Sequence, residues 1–304
     1  MNISDMHVTV SPAVRAKMEE RKRKNINRTE VELEFRDQLN KSFQEAYELS
    51  NCDPVLSESV KNSISKQLII PETAMFADLP VRVKEGKVIL SQKRTLEAAA
   101  VYKRQHIAVL NFASAIRPGG GINKVSLTQE ECLMRESTLF SCLNMPMCEI
   151  RFYDEHKDLD YKYNADMIYT PDVTVFRTYD KLPKLMPKTD WLNVDMITMA
   201  APNLEHYTKS IKASLDNELI NIFELRFTRI MQSAVLHDVD VLILGAFGCG
   251  AFHNDPGIVA TGAARALERY RKSFDTVEFA IYETGRKKNH HMFRLVLDRY
   301  LNNI

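Results

Sequence analysis

A proline followed by three glycines, Pro118-Gly-Gly-Gly121, constrains this chain more than any other feature. Regular structure stops there, because proline lacks an N–H and glycine leaves the backbone free to turn and to approach another group closely. Ahead of it, Ile107 to Phe112 is an apolar run long enough for a buried strand. Behind it, Leu133, Phe140 and Leu143 are spaced to face a core from one helix beginning near Gln129, with Thr128 as its N-cap. Strand, loop and helix then place Gln129, Glu130 and Glu131 in the first helical turn. Two readings of that turn stand side by side. Glycine-loop N–H groups and a helix N-terminus form a concavity suited to phosphate, with a carboxylate to meet whatever lies beyond it. Alternatively, Thr128 to Glu131 fits a capping box, in which Glu131 only returns a hydrogen bond to the cap residue.

The rest of the chain supplies a setting. A length of 304 residues can bury a large core. Lys and Arg number 41 against 40 acidic residues, so no overall field draws the protein to nucleic acid or membrane, and an anionic ligand must be met locally. The five cysteines form no CxxC pair, which fits reduced thiols in a cytosol-like compartment. No apolar run is long enough to span a bilayer, and no secretory segment opens the chain, so a soluble protein is expected.

Residues 1–78 read as a helical extension packed on the core, with Val31, Phe35, Leu39, Phe43, Ala46 and Leu49 at helical spacing and breaks at Asn51–Pro54 and Pro71. The Arg21-Lys-Arg-Lys24 run is a solvated helix face or a nuclear signal. Residues 79–304 alternate strands and helices. Strands are expected at Val88–Leu90, Ile107–Phe112, Val173–Phe176 along a sheet edge, Asp195–Ala201, Val241–Leu244 and Val277–Tyr282, with helices at Thr95–Arg104 (Thr95 as cap), Glu218–Leu236 and His291–Leu301. A second glycine loop, Gly245-Ala-Phe-Gly-Cys-Gly250, leads to Asp255 as N-cap and Pro256 as first helical residue. The sum is an α/β sandwich with a mixed central sheet. Ligands of such sheets sit at the carboxyl ends of strands, so the loops after Phe112, Ala201 and Leu244 should converge. Two glycine loops bordering one cleft suit a diphosphate; the bland reading is that Gly245, Gly248 and Gly250 only make tight turns.

GGG, seven residues, then QEE, after a strand ending NFAS, closely resembles the signature of the microbial-type poly(ADP-ribose) glycohydrolases, which have a macrodomain fold. Leu244 to Pro256 is similar to that family's diphosphate-binding loop, and Thr95-Leu-Glu-Ala98 and Tyr169 to Val173 are smaller echoes. The resemblance implies a macrodomain-like three-layer sandwich that hydrolyses the ribose–ribose O-glycosidic bond of poly(ADP-ribose) on modified proteins. It implies no cofactor or metal, a monomer, and a cytoplasmic location, or a nuclear one in a eukaryote. Carried over residue by residue, it makes Glu131 the general acid and then base, and Glu130 the holder of ribose hydroxyls. Substrate contacts fall to Asn111, Gly119, Gly120, Gly121 and Gln129, to Gly245, Phe247, Gly248, Cys249, Gly250, Ala251 and Phe252, and, on the adenosine side, to Glu97. Phe252 rather than Phe247 resembles the aromatic that holds the distal ribose. Lys124 departs from the small or polar residues expected in that loop.

The chemistry sets conditions. Cleavage builds oxocarbenium-like charge on the ribose, and the leaving hydroxyl needs a proton. Adjacent helical residues point about 100° apart, so the two glutamates cannot straddle one bond, and one must do the proton work alone. A helix N-terminus favours the ionised form, whereas an acid benefits from a raised pKa, which burial would supply. His253, His290 and His291 lack metal-ligand spacing, and Cys249 lacks a base to make it a nucleophile. Two alternatives remain: a hydrolase of mono-ADP-ribose on protein or nucleic acid, and a macrodomain that binds ADP-ribose without cleaving it. A dinucleotide-binding dehydrogenase would require GxGxxG directly opening a helix.

Overall fold

The computed structural model describes residues 12–76, 79–80, 82–122, 126–285 and 288–301, with side chains described from residue 31 onward except at 209, 211 and 213. Lys124 and the side chains of Arg21 to Lys24 lie outside these.

One sheet of seven strands forms the middle layer: β1 (Leu68–Ile70), β2 (Lys87–Ser91), β3 (Ile107–Ala113), β4 (Met167–Val175), β5 (Leu192–Ala200), β6 (Val241–Leu244) and β7 (Thr276–Ala280), in the order β1-β4-β5-β3-β6-β7-β2. From β5 through β3, β6 and β7 to β2 all neighbours are parallel, while β4 and β1 are antiparallel additions on one side. Central parallel strands are covered on both faces, which is why Val241–Leu244 is continuously apolar and fully buried. The helices are α1 (Pro12–Cys52), α2 (Pro54–Lys66), α3 (Thr95–Ala99), α4 (Gln129–Glu136), α5 (Leu139–Leu143), α6 (Pro146–Cys148), α7 (Asp154–Lys157), α8 (Lys209–Ser214), α9 (Asp216–Leu236), α10 (Pro256–Tyr270) and α11 (Lys288–Leu301).

The alternation of β3 sorts them into two layers. Ala108 and Leu110 face Phe223 and Phe227 of α9, Leu267 of α10 and Phe293 of α11. Ile107 and Val109 face the other way, onto Phe43 of α1, Leu96 of α3, Leu133 of α4 and Leu139 of α5. The result is the α/β sandwich with a mixed sheet that the sequence pattern implied, in the three layers that the resemblance implied. Asp255 caps α10, accepting from Gly257 N–H at 2.8 Å with Pro256 behind it, also as expected.

Several local expectations are corrected. The strand at Val173–Phe176 is not an edge: β4 lies between β5 and β1, which comes from the N-terminal segment. A boundary at residue 78 therefore falls after a strand the sheet already contains, and α2 seals that side, with Ser59 and Ser63 donating to Asp172 O at 3.4 and 3.1 Å. The apolar stripe of α1 packs only from Leu39 onward, and Val31 stays 65% exposed. The helix after Thr128 is two helices. Ser137 is extended and bridges Val175, its hydroxyl donates to Leu133 O at 2.8 Å, and the Thr138 N–H goes to Thr174 O at 3.0 Å. A Ser-Thr pair offered other backbone partners ends the helix there. Arg94, not Thr95, occupies the cap position of α3.

Candidate active site

Gln129 sets the geometry. Its Oε1 accepts from Phe112 N–H at 2.9 Å, and its Nε2 donates to Leu110 O at 2.8 Å and Thr95 Oγ1 at 3.1 Å. One amide thus clamps α4 to the end of β3 and to α3. Asn111, expected to touch substrate, is fully buried behind Glu130; its Nδ2 reaches Glu130 Oε1 at 3.5 Å and Thr198 Oγ1 at 3.4 Å.

Glu130 Oε2 accepts from Ser114 N–H at 2.8 Å, and the side chain is 2% exposed. Burial pushes its pKa up to about 8 against the pull of the Ser114 N–H, and the neighbouring Glu131 charge adds to the rise. Glu131 Oε1 accepts from Gly121 N–H at 2.7 Å, and Oε2 accepts from the Thr128 hydroxyl. The capping box does not form: Thr128 N–H donates to Ser126 Oγ at 3.2 Å, and the Thr128 side chain makes no cap bond. Glu130 thus holds its proton more tightly than an exposed glutamate does.

The glycines follow from these contacts. Gly119 and Gly120 have φ of +69° and +49°, and a Cβ on Gly120 would lie 2.6 Å from Glu130 Oε2 and 3.1 Å from Glu131 Oε1. In the second loop Gly248 has φ +76°, and a Cβ there would lie 2.5 Å from Ala201 Cβ, so the ends of β5 and β6 meet only through glycine. Asn254 ties them further, donating to Pro202 O at 2.8 Å and Gly248 O at 2.9 Å. Gly245 admits Phe112 against the end of β7, and Gly250 faces open space.

Both loops border one cavity of about 680 Å³ at the carboxyl ends of β3, β5, β6 and β7. Gly120, Gly121, Gln129, Glu130 and Glu131 line it on one side, and Phe247, Gly248, Gly250, Ala251 and Phe252 on the other. Of the candidates, Glu97, Asn111, Gly119, Gly245 and Cys249 do not line it. Glu97 is exposed on α3, its carboxylate accepting from Arg94 N–H at 3.2 Å. Phe247 is a core ring between Phe112, Phe223 and Phe227, whereas Phe252 is half-buried at the rim. The Cys249 thiol points to Phe247 O, and burial raises its pKa. Arg94, Ser114, Asn203 and Tyr282 also line the cavity, and the sequence reading missed them. Ser114, Asn203 and Tyr282 each sit just beyond the carboxyl end of a strand, a rule that would have found them had it been applied to every strand.

An α/β sandwich whose cleft lies between two glycine loops at its strand ends, with a carboxyl pair on the first turn of a helix, has the build of a site for a phosphorylated ligand. The chain belongs to the microbial-type poly(ADP-ribose) glycohydrolase (PARG) family, glycosidases of the ribose–ribose bond of poly(ADP-ribose), since the catalytic-domain model of that family matches residues 21–178. Similar solved structures include the PARG of Thermomonospora curvata, 26% identical with a TM-score of 0.74 over 85% of this chain and 98% of that one. The same enzyme bound to the inhibitor ADP-HPD is 27% identical, with a TM-score of 0.72 over 84% and 98%. The Deinococcus radiodurans PARG in complex with ADP-ribose is 28% identical, with a TM-score of 0.69 over 79% and 97%. No curated protein matches the chain. No helix among the described residues is long and apolar enough to cross a membrane.

Proposed function

We propose that the cavity holds an ADP-ribose unit with its diphosphate between the Gly119–Gly121 and Gly245–Gly250 turns, and that Glu131 moves the proton at the anomeric bond. Glu131 protonates the departing hydroxyl and, once ionised, faces the oxocarbenium-like ribose; it then takes the proton of the incoming water. Glu130, neutral at pH 7 because of its burial, offers one donor and one acceptor to ribose hydroxyls. Phe252 supplies a flat wall for the distal ribose, and Tyr282 with Arg94, which line the same cavity, would take the adenine. The ADP-ribose and ADP-HPD complexes of the two bacterial relatives support this reading.

The observation that carries it is the shared position of the two carboxyl groups: both face the Gly120 turn inside the same cavity as the second glycine loop. Purified protein incubated with poly(ADP-ribose), and separately with mono-ADP-ribosylated protein, should release free ADP-ribose from the first. Glu131→Gln should lower that rate by about 10²–10⁴-fold, the usual worth of a positioned acid, and keep ADP-ribose affinity within a few-fold. Release from the mono-ADP-ribosylated protein alone would make the chain a mono-ADP-ribosyl hydrolase. Tight ADP-ribose binding with no release from either would make it a reader module.

A further inference from the structure

The cavity continues past the carboxyl pair. At the carboxyl end of the sheet, the strand order β5-β3-β6-β7 sets the order of the residues that line it: Asn203 and Glu205 after β5, Ser114 to Gly121 after β3, the second glycine turn after β6 and Tyr282 after β7. In the pose proposed above the bound unit spans the last three, with its base at Tyr282 and its cleavable bond at Glu131. The end at β5 is left over, and the other half of the cleaved bond must lie there. Tyr163 reaches this end from the segment before β4, which is tied to β5 because Asn203 N–H donates to Tyr161 O at 2.7 Å. Its φ is +53°, a conformation that strains a tyrosine and persists only where the surroundings impose it. The buried Arg226 guanidinium imposes it, one nitrogen donating to the carbonyls on both sides, Lys162 O and, at 3.2 Å, Asn164 O. The ring presented in this way is half-buried and lines the cavity. From the β3 side, Arg117 stands just ahead of the glycine turn. It is exposed, lines the cavity, and makes no side-chain hydrogen bond or ion pair among the described residues.

From this placement we infer that Tyr163 and Arg117 form a subsite for the unit that leaves, the Tyr163 ring stacking on its adenine and Arg117 pairing with its diphosphate. This rests on the reaction proposed above. The ribose–ribose bond joins the distal ribose of the bound unit to the adenosine ribose of the next, so the departing hydroxyl belongs to a sugar that carries both an adenine and a diphosphate. An aromatic face takes a base by stacking, and a guanidinium takes phosphate oxygens in pairs. The acid at this end, Glu205, follows β5 on the side tied to the Tyr163 segment, which leaves the anion to the Arg117 side. A protein side chain that carries a single ADP-ribose brings neither group, so the subsite selects the polymer over mono-ADP-ribosylated protein.

The test compares the unaltered protein with Tyr163→Gly, Tyr163→Phe and Arg117→Gln. Three quantities are read: kcat/KM for release of ADP-ribose from poly(ADP-ribose), the dissociation constant of free ADP-ribose, which fills only the part of the cavity taken by the bound unit, and a thermal melt. Glycine suits a φ of +53°, so Tyr163→Gly keeps the turn. It should lower kcat/KM on the polymer about tenfold, and Tyr163→Phe, which keeps the stack, should retain the unaltered value. Arg117→Gln should lower it about threefold at low salt and weaken its salt dependence. Free ADP-ribose should bind every variant within about twofold of the unaltered protein. Polymer kcat/KM within about twofold in folded Tyr163→Gly, or a loss of ADP-ribose affinity that matches the loss of kcat/KM, overturns the inference. So does an Arg117→Gln protein that keeps both the unaltered kcat/KM and its salt dependence. If the unaltered protein releases ADP-ribose from the polymer in those cases, only the subsite falls. An unaltered protein that releases none overturns the reaction and the subsite together.

Discussion

Gly120→Ala tests whether the first glycine turn exists to hold two carboxyl groups in place. The new Cβ would lie 2.6 Å from Glu130 Oε2, where ordinary contact begins at 3.4 Å, so one of them must move by about 0.8 Å. Glu130 has little room to retreat: it is buried and its Oε2 is held by Ser114 N–H at 2.8 Å. An alanine at φ +49° adds strain of about 1–2 kcal/mol, and the overpacking about 1–3 kcal/mol more. A displacement near 1 Å at reacting groups costs about 10²-fold in rate. Gly120→Ala should therefore fold with a melting point lower by several degrees, and release ADP-ribose at about a hundredth of the unaltered kcat. Gly250→Ala is a control for stability alone, because its Cβ meets nothing within 4 Å while the residue itself lines the proposed diphosphate site. A folded Gly120→Ala with kcat within about threefold of the unaltered protein would refute the idea that this turn sets the carboxyl geometry.

Three further outcomes follow from the same contacts. Gln129→Ala strands the Phe112 N–H and the Leu110 carbonyl, and should cost about 1–3 kcal/mol per group in urea unfolding while also lowering kcat by loosening α4. Glu130 and Glu136 both hold protons more tightly folded than unfolded, so their contribution is complete below the ordinary glutamate value of 4.5 and is lost as pH rises toward about 8. Unfolding free energy should fall across that window by about 1.4 kcal/mol per pH unit per group, and Glu130→Gln should remove one group's share of the slope. Phe247→Ala should cost about 3–5 kcal/mol of stability as a core ring, whereas Phe252→Ala should leave the melting point nearly unchanged and raise KM.

How much could be read from the residues alone depended on the range of the interaction. Period and punctuation gave the strands from β3 to β7, the capped start of α10 and the convergence of two glycine loops, because each is written in neighbouring residues. The edge position given to β4 was wrong because β1, Leu68–Ile70, carries no alternation of its own and joins the sheet only by pairing. The single helix over Gln129–Leu143 was wrong because Ser137 and Thr138 find partners on β4, about forty residues away in sequence. Glu97 looked like a ligand contact because its motif did; the folded chain turns it outward to cap α3. Asn111 lies behind Glu130, and Gln129 both lines the cavity and clamps α4 to β3, contacts that their residue types could not reveal.

The two adjacent glutamates show how the fold assigns different tasks to identical side chains. Successive helical residues point in different directions, so Glu130 turns back toward β3 and Asn111, while Glu131 turns out toward the glycine turn and Thr128. Inward burial raises the proton affinity of Glu130, yet the same burial and its hold by Ser114 N–H keep it from following a reacting atom. Glu131 is held by one backbone N–H and one hydroxyl, contacts that a bound sugar can replace without unmaking the core. A neutral Glu130 also spares Glu131 the repulsion of a second charge when it ionises beside the oxocarbenium-like ribose. Raising the pH through about 8 should therefore slow turnover by ionising Glu130, and Glu130→Gln should flatten that limb of the kcat profile. A basic limb unchanged in Glu130→Gln would place the titrating group elsewhere and break this division of labour.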